Sequence, residues 1–320
     1  MAVVTIASAY REFAVRETRG VSPTYERLAD AVARDEEILG RLAELPAAKQ
    51  QPNLLFAVVR LLGGPVDRAG SFREFVAGNW AAIAPEMRQR ATQTNEIGRC
   101  AALLPVLAAL PQPLALIDVG ASAGLCLYPD KYSYRYGSHL VGSSAPVLDC
   151  QATGLKPPAT RPTVAWRAGI DLNPLDVTDP ADVAWLEALI WPEHAHRQER
   201  LRAAIAIARA EPPRLVRGDL LATLPGLAAR APAGATLVVY HTSVLYQVPP
   251  PERAEFLDLV RGLPGHWISV EAPEVVDVGD LPAPPDASVH NVLALDGTPL
   301  AWVRAHGQSL TWFGPVTPQS

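Results

Sequence analysis

A turn of small residues follows an acidic residue in the middle of the chain. The sequence is Asp118-Val119-Gly120-Ala121-Ser122-Ala123-Gly124, and the four residues before it, Leu114 to Ile117, are all apolar. An apolar run, a turn and renewed apolar residues up to Leu127 predict a buried strand, a tight turn and the start of a helix. Open α/β sheets bind ligands at the carboxyl ends of their strands, so this turn is where chemistry is first expected.

Three kinds of site share this local pattern. Gly-x-Ser-x-Gly is the nucleophile elbow of an α/β-hydrolase, with Ser122 as the nucleophile, but that elbow normally follows several strands. A dinucleotide site requires further glycines at positions 122 and 125, where this chain has Ser122 and Leu125. The third kind is the glycine loop of an S-adenosylmethionine (SAM) methyltransferase, which contacts no phosphate and needs fewer glycines.

Two more acids follow short apolar segments further along the chain. Asp171 ends the sequence Gly169-Ile170-Asp171, and Asp219 follows Gly218. The carboxyl ends of parallel strands meet at one edge of a sheet, so Asp118, Asp171 and Asp219 are expected along the same edge. Asp171 comes 53 positions after Asp118, whereas such an acid usually follows the loop by about 20. An insertion over residues 128–162 is therefore expected.

The most apolar expected strand, Ala235–Tyr240, ends in a sequence that could move a proton. His241, Thr242 and Ser243 come next, and Tyr246 is close behind. Histidine has a pKa suited to proton transfer near neutrality, so His241 is the candidate general base, with Tyr246 and Ser243 orienting the acceptor. Ser243 is also a candidate cofactor contact. The alternative is a structural histidine that is hydrogen-bonded to a neighbouring loop.

The polar stretch Thr92–Arg99, with the sequence TQTNEIGR, precedes an apolar helix. Thr94 or Asn95 could cap that helix, with Glu96 near its positive end. In the functional interpretation Asn95, Glu96 and Arg99 project over the ligand, and Glu96 and Arg99 share a helix face. Under this interpretation Glu96 is a further catalytic candidate, and Asn95 and Arg99 bind the cofactor.

The elements that must position these residues form an α/β protein. Residues 1–110 show helical spacing and are expected to form a helical N-terminal domain or cap. Residues 111–320 alternate strands and helices, which predicts a mostly parallel sheet. The dipeptide Asp296-Gly297 between two apolar segments predicts a closing antiparallel hairpin. Alternating tyrosines at positions 132, 134 and 136 predict an exposed antiparallel strand in the insertion.

Composition excludes several classes of function. Hydrophobic residues make up 49% of the chain and charged residues 19%, which predicts a buried core rather than disorder. The net charge of −5 provides no basic surface for nucleic acid. No apolar run reaches the length of a membrane span. Three widely spaced cysteines and the absence of a signal peptide predict reduced thiols in a cytoplasmic protein, and no metal site is expected.

The order of these motifs resembles the class I SAM-dependent methyltransferases, whose parallel Rossmann-like sheet finishes in a hairpin. The resemblance implies SAM as cofactor, with Gly120, Ser122 and Gly124 in its glycine loop. It further implies that Asp118 lies at the first strand end, that Asp171 binds the ribose hydroxyls, and that Asp219 meets the adenine amino group.

At a finer level the chain resembles a bacterial family of unknown function with a methyltransferase-like core. The matching segments are Ser22-Pro23-x-Tyr25, TQTNEIGR, GASAGL with the following DKYSY, GIDLNPLD and His241-Thr242-Ser243. A small-molecule acceptor is expected, and its identity and the oligomeric state have no signal in the sequence. Because fold does not fix function, a binding or regulatory module without catalysis stays open as the alternative.

Overall fold

The computed structural model of the protein describes residues 2–315. The chain divides into two compact units. The first comprises Met1–Thr94 together with Thr178–Glu199, and the second comprises Asn95–Val177 together with Arg200–Ser320. The second unit contains every predicted site residue, and it is the one described in most detail below.

Ten α-helices and eleven strands are found within residues 2–315. The helices are α1 Ala2–Phe13, α2 Pro23–Val32, α3 Glu36–Ala43, α4 Pro52–Leu61, α5 Ala69–Gln89, α6 Arg99–Ala109, α7 Pro180–Leu189, α8 Ala195–Ala210, α9 Leu220–Ala228 and α10 Pro250–Arg261. The strands are β1 Leu114–Val119, β2 Ser133–Tyr136, β3 His139–Val141, β4 Val147–Thr153, β5 Val164–Asp171, β6 Arg214–Arg217, β7 Thr236–Thr242, β8 His266–Glu271, β9 Asn291–Leu295, β10 Thr298–Val303 and β11 Ser309–Trp312.

The first unit is built from helices around an aromatic core. Tyr25 packs against Phe56 and Trp191, with ring centroids 4.8 and 5.6 Å apart, respectively. Helix α2 begins at a proline, and the Ser22 hydroxyl accepts a hydrogen bond from the Tyr25 N–H at 3.2 Å. A capping side chain and a proline in the first turn both favour a helix start, so this boundary follows directly from the sequence.

The second unit contains one mixed sheet of eleven strands in the order β3-β2-β4-β11-β10-β9-β8-β7-β1-β5-β6. Strands β8, β7, β1, β5 and β6 are mutually parallel. The chain moves from β1 through β5 to β6 on one side, and then returns to β7 and β8 on the other. The direction reverses between β1 and β7, which is the topological switch point where open α/β sheets bind ligands. The predicted α/β class with a mostly parallel sheet is confirmed.

The two faces of the parallel strands pack against different helices. Ile117, Val239 and Trp267 share a buried cluster with residues of α9 and α10. Successive side chains on a strand point to opposite faces, so Asp118 lies on the other face. Its partner in the β7 register is Tyr240 and its partner in β5 is Gly169. This second face is where Arg99 of α6 reaches β7 through the Thr242 carbonyl oxygen.

The predicted helix after the glycine turn is wrong. The chain forms only a 3₁₀ turn, Leu125–Leu127, before Tyr128 leaves the helical region with φ −116° and ψ 43°. Pro129 follows, and the residue before a proline is disfavoured in the α conformation. Strand β1 is thus connected to β5 through the small strands β2, β3 and β4.

The tyrosines of that connection are buried, which corrects the predicted exposure. Tyr132 and Tyr134 are fully buried and Tyr136 is 4% exposed. Their hydroxyls donate hydrogen bonds to the carbonyl oxygens of Leu125, Pro129 and Ala101, respectively. Strand β2 pairs antiparallel with β3 and also parallel with β4. Because their hydroxyl groups are hydrogen-bonded, these three tyrosines can be buried in the core without leaving a polar group unpaired.

The closing hairpin has the predicted turn. Asp296 and Gly297 connect β9 to β10, and both have positive φ angles, 50° and 83°. Two consecutive residues with positive φ define the type I′ turn that suits the twist of a hairpin.

Candidate functional site

The glycine loop after β1 is held by hydrogen bonds from all five of its N–H groups. The N–H groups of Gly120 and Ala121 donate to the Ile170 carbonyl at 2.8 and 3.0 Å, and that of Gly124 donates to the Ala121 carbonyl at 2.7 Å. Ser122 N–H donates to Asp171 Oδ2 at 2.7 Å. Ala123 N–H donates to Asn95 Oδ1 at 3.0 Å. The loop therefore uses its donors to maintain its own shape.

Asn95 and Asp171 are the two side chains that clamp the loop. The Asn95 amide donates through Nδ2 to Ser122 Oγ at 2.6 Å while its oxygen accepts from Ala123. Asp171 accepts from Ser122 N–H through one oxygen and from Asn173 N–H through the other, at 2.8 Å. Ser122 has a φ of 51°, in the left-handed region that a side chain seldom adopts. The clamp compensates for serine in a position that favours glycine.

Gly120 is required by close packing as well as by conformation. Its φ is 76°, and a Cβ there would collide with the side chain of Val244, which follows β7. A glycine is the only residue that fits both demands.

These contacts disfavour two of the three chemistries considered for the glycine loop. A pyrophosphate site needs free N–H groups at the turn, and an oxyanion hole uses the N–H after the nucleophile. Both are occupied here, because Ala123 N–H is bonded to Asn95 and the Ser122 hydroxyl accepts from the same amide. The loop suits a ligand that makes van der Waals contact without presenting phosphate or an oxyanion.

Asp118 and Arg99 place an acidic and a basic side chain at the switch point. Asp118 is only 5% exposed, and among residues 2–315 no hydrogen bond or ion pair reaches its carboxyl group. Burial raises the pKa of Asp118 well above its ordinary value; the Arg99 guanidinium opposes this rise and Asp171 adds to it. Arg99 is fixed by hydrogen bonds to the carbonyl oxygens of Ala305 at 3.1 Å and Thr242 at 2.8 Å.

The raised pKa of Asp118 predicts a dependence of stability on pH. A carboxyl whose pKa is higher in the folded state favours folding at low pH, and this contribution is lost as the pH rises through the folded pKa. Asp118→Asn should therefore unfold at a higher temperature than the wild type at pH 8, with the difference shrinking toward pH 4. The measurement is thermal unfolding by circular dichroism across this range.

Asp258→Asn provides the matched control, because Asp258 is exposed on α10 and the change in charge is the same. A difference for Asp118→Asn that stayed constant with pH would contradict the interpretation.

The structure places His241 inside the core, away from Asp118. His241 is fully buried and pairs with Val119 in the register, so its side chain shares the α9 and α10 face. Its Nε2 accepts from Trp267 Nε1–H at 2.9 Å, and its Nδ1 contacts Glu271 Oε1 at 2.8 Å. Indole nitrogen only donates, so the His241 proton lies on Nδ1. Both ring nitrogens are engaged, and neither can accept a substrate proton.

Glu96 and Tyr246, the other catalytic candidates, lie in different environments. Glu96 is 3% exposed, and its Oε1 accepts from Gly98 N–H at 2.9 Å and contacts Arg200 Nη2 at 3.0 Å. The carboxyl group thus accepts from the N-cap residue of α6, Gly98, whereas the capping interpretation assigned the cap to Thr94 or Asn95. Tyr246 is 61% exposed in the 3₁₀ turn Leu245–Gln247.

Two predicted cofactor contacts have structural partners. Asp219 is the N-cap of α9 and accepts from the N–H groups of Leu221 and Ala222 at 2.8 and 3.2 Å. Ser243, with a φ of 55°, accepts from Asn291 Nδ2 at 2.8 Å. Residues Asn95, Arg99, Asp118, Gly120–Gly124 and Asp171 are thus the ones brought together, and they are called the strand-end site below.

Sequence reasoning missed Glu271, the last residue of β8. Its Oε1 contacts His241 Nδ1 and accepts from the N–H groups of Val244 and Leu245 at 2.8 and 3.1 Å. Glu271 shapes the turn whose Val244 side chain packs on Gly120. The signal was available, since Glu271 is an acid that ends an apolar strand in the same way as Asp118 and Asp171.

Residues 2–315 contain neither a membrane-spanning helix nor a cluster of metal-binding side chains. No helix in this part of the chain is long and apolar enough to cross a membrane. Over the same residues, no group of three or more histidine, cysteine, aspartate or glutamate side chains is arranged to hold a metal ion.

Comparison with known proteins gives a family and no further relative. No curated protein and no solved structure matches the chain. A family model described as "Uncharacterized protein conserved in bacteria (DUF2332)" matches residues 7–312. The match runs from the first helix to the last strand and includes the whole strand-end site. The chain therefore belongs to this uncharacterised bacterial family, DUF2332.

Proposed function

We propose that the protein binds SAM at the strand-end site and transfers its methyl group to a small-molecule acceptor. The observation that carries this proposal is the pairing of an acidic and a basic side chain, Asp118 and Arg99, which are close but form no ion pair within the described chain. The methionine part of SAM carries an ammonium and a carboxylate group. A carboxylate and a guanidinium held apart at the switch point match that zwitterion.

The remaining parts of the strand-end site fit the nucleoside. SAM has no phosphate, so a glycine loop without free N–H groups is compatible with it. Asp171 accepts a backbone N–H on each oxygen, and a carboxylate of this kind at the second strand end is the group that would accept hydrogen bonds from ribose hydroxyls. Leu172 follows directly and is 73% exposed, which offers an apolar surface to an adenine ring. The five parallel strands in doubly wound order support a Rossmann-like methyltransferase core.

The catalytic contribution of the chain would be positioning. The sulfonium of SAM supplies a methyl group that is transferred by in-line displacement, so orientation accounts for much of the rate. Arg99 and Asp118 would fix the methionine part, and the clamped loop would fix its distance from β1. The buried His241 leaves this proposal without an assigned base, which suits an acceptor that is already unprotonated.

A second candidate is a SAM-binding module without catalysis. It is favoured by one observation, which is that His241 and Glu96 are both hydrogen-bonded within the protein. The two candidates share SAM binding and differ in whether any acceptor is methylated. Incubation of the protein with methyl-labelled SAM and a bacterial metabolite extract separates them, because only an enzyme transfers the label to a small molecule.

Arg99 provides a direct test of how SAM is bound. S-adenosylhomocysteine contains the amino acid part of SAM, whereas 5′-methylthioadenosine lacks it. A charge-assisted hydrogen bond contributes about 1.5–3 kcal/mol, so the wild type should bind S-adenosylhomocysteine roughly 10- to 100-fold more tightly. Arg99→Met should lose most of this preference while its affinity for 5′-methylthioadenosine is unchanged. Isothermal titration calorimetry measures both.

Arg230→Met is the control, since Arg230 is exposed after α9 and the variant has the same change in charge. Equal weakening of both ligands in Arg99→Met would contradict the assigned role of Arg99. Failure of the wild type to bind either ligand would contradict SAM binding itself.

A further inference from the structure

Two cysteines of the second unit lie in contact beside the strand-end site. Cys100 is in the first turn of α6, and Cys126 is in the 3₁₀ turn after the glycine loop. Cys100 Sγ donates to the Cys126 carbonyl oxygen at 3.5 Å, which brings the two cysteines together. Cys126 Sγ contacts the Glu96 carbonyl oxygen at 3.7 Å. The backbones that carry the two thiols are thus already adjacent.

The two thiols differ in accessibility. Cys100 is fully buried, whereas Cys126 is partly exposed. The third cysteine, Cys150, is buried in β4, and within the described chain no hydrogen bond joins it to either of these two cysteines. An oxidant in solution would therefore reach Cys126 first, with Cys100 behind it as the nearest sulfur.

We propose that Cys100 and Cys126 are a redox-modification site that closes to a disulfide on exposure to hydrogen peroxide. The Cys126 thiolate attacks one peroxide oxygen, so that an S–O bond forms, the O–O bond breaks and hydroxide leaves. The Cys100 sulfur then attacks the Cys126 sulfur, which forms the S–S bond and releases water with the Cys100 proton. Two thiols lose two electrons, and one peroxide becomes two waters.

Burial of the Cys100 thiol slows the second step, the attack of its sulfur on Cys126. It raises the pKa of Cys100 well above its ordinary value, and Cys126 and Asp118 add to the rise. The thiolate is the attacking form, so closure of the disulfide should accelerate as the pH increases. The disulfide would tie the first turn of α6 to the segment that leaves the glycine loop.

The test uses the full-length protein treated with hydrogen peroxide and then alkylated with N-ethylmaleimide in denaturant. The number of free thiols should fall from three to one. Peptide mapping without reductant should find Cys100 linked to Cys126 and Cys150 alkylated. Cys150→Ser should form the same link, and Cys126→Ser should form none. The wild-type map needs no variant, so it stands even where a variant folds poorly.

Three outcomes would overturn the proposal. The first is Cys126 oxidised to sulfinic or sulfonic acid while Cys100 is still a thiol. The second is a link to Cys150, and the third is a link that forms only after the protein has been unfolded in urea. The thiol count does not depend on SAM, so the proposal stands or fails separately from the proposed function.

Discussion

Replacing Glu271 with alanine should destabilise the protein by about 3–5 kcal/mol, because three hydrogen-bond donors lose their acceptor. Glu271 is 2% exposed, and one of its oxygens serves His241 Nδ1 and the N–H groups of Val244 and Leu245. Alanine would leave all three groups without their acceptor, each at a cost of about 1–3 kcal/mol before relaxation where the group is buried. Denaturant unfolding monitored by circular dichroism measures the loss.

Two further variants serve as controls for this prediction. Glu271→Gln keeps a side-chain oxygen and should lose clearly less stability than the alanine variant. Glu274→Ala changes an exposed glutamate three residues away and should alter stability by no more than about 0.5 kcal/mol. A Glu271→Ala protein as stable as Glu274→Ala would show that the His241 network contributes nothing to the fold.

Replacing Asn95 with alanine should weaken SAM binding by roughly 100-fold or more, an effect of about 3 kcal/mol. The variant removes both hydrogen bonds that the amide makes to the glycine loop, at 2.6 and 3.0 Å. Ala123 N–H then has no partner, and Ser122 loses the contact that stabilises its left-handed conformation. Calorimetry with S-adenosylhomocysteine measures the affinity.

Ser122→Gly separates loop shape from serine chemistry. Glycine adopts a φ of 51° without strain, so this variant should keep the loop and bind S-adenosylhomocysteine within about threefold of the wild type. If Ser122 were instead a hydrolase nucleophile, a fluorophosphonate probe would label the wild type and not this variant. If Asn95→Ala bound S-adenosylhomocysteine as tightly as the wild type, the role of Asn95 in holding the glycine loop would be contradicted.

The strand ends were predictable because each has a local signal. An apolar run followed by an acid marks the carboxyl end of β1, where Asp118 is the next-to-last residue, and of β5, which ends at Asp171. The glycine turn was predictable for the same reason. The insertion between β1 and β5 was inferred from spacing alone, since 53 positions separate the two acids.

The partners of the loop could not be predicted, because they come from distant segments. Asn95 is 27 residues before Ser122, and Asp171 is 49 residues after it. A polar stretch such as TQTNEIGR offers several capping side chains, and the local sequence does not say which will leave the helix. In the structure the Glu96 carboxylate accepts a hydrogen bond at the start of α6, and the Asn95 amide is hydrogen-bonded to the glycine loop.

The environment of His241 depends on the register in which β7 pairs with β1. Asp118 pairs with Tyr240, so His241 pairs with Val119 and points to the opposite face of the sheet. A shift of one residue in the pairing would have placed His241 beside Asp118, because side chains alternate between faces. The sequence of β7 indicates a buried strand, but it contains no information about its register against β1.

Calorimetry of the full-length protein with SAM and with S-adenosylhomocysteine is the most direct test of SAM binding at the strand-end site. We predict that one equivalent of each binds with a dissociation constant on the order of micromolar, and that Asn95→Ala and Arg99→Met bind S-adenosylhomocysteine weakly while remaining folded. A folded wild-type protein that binds neither compound would contradict the account.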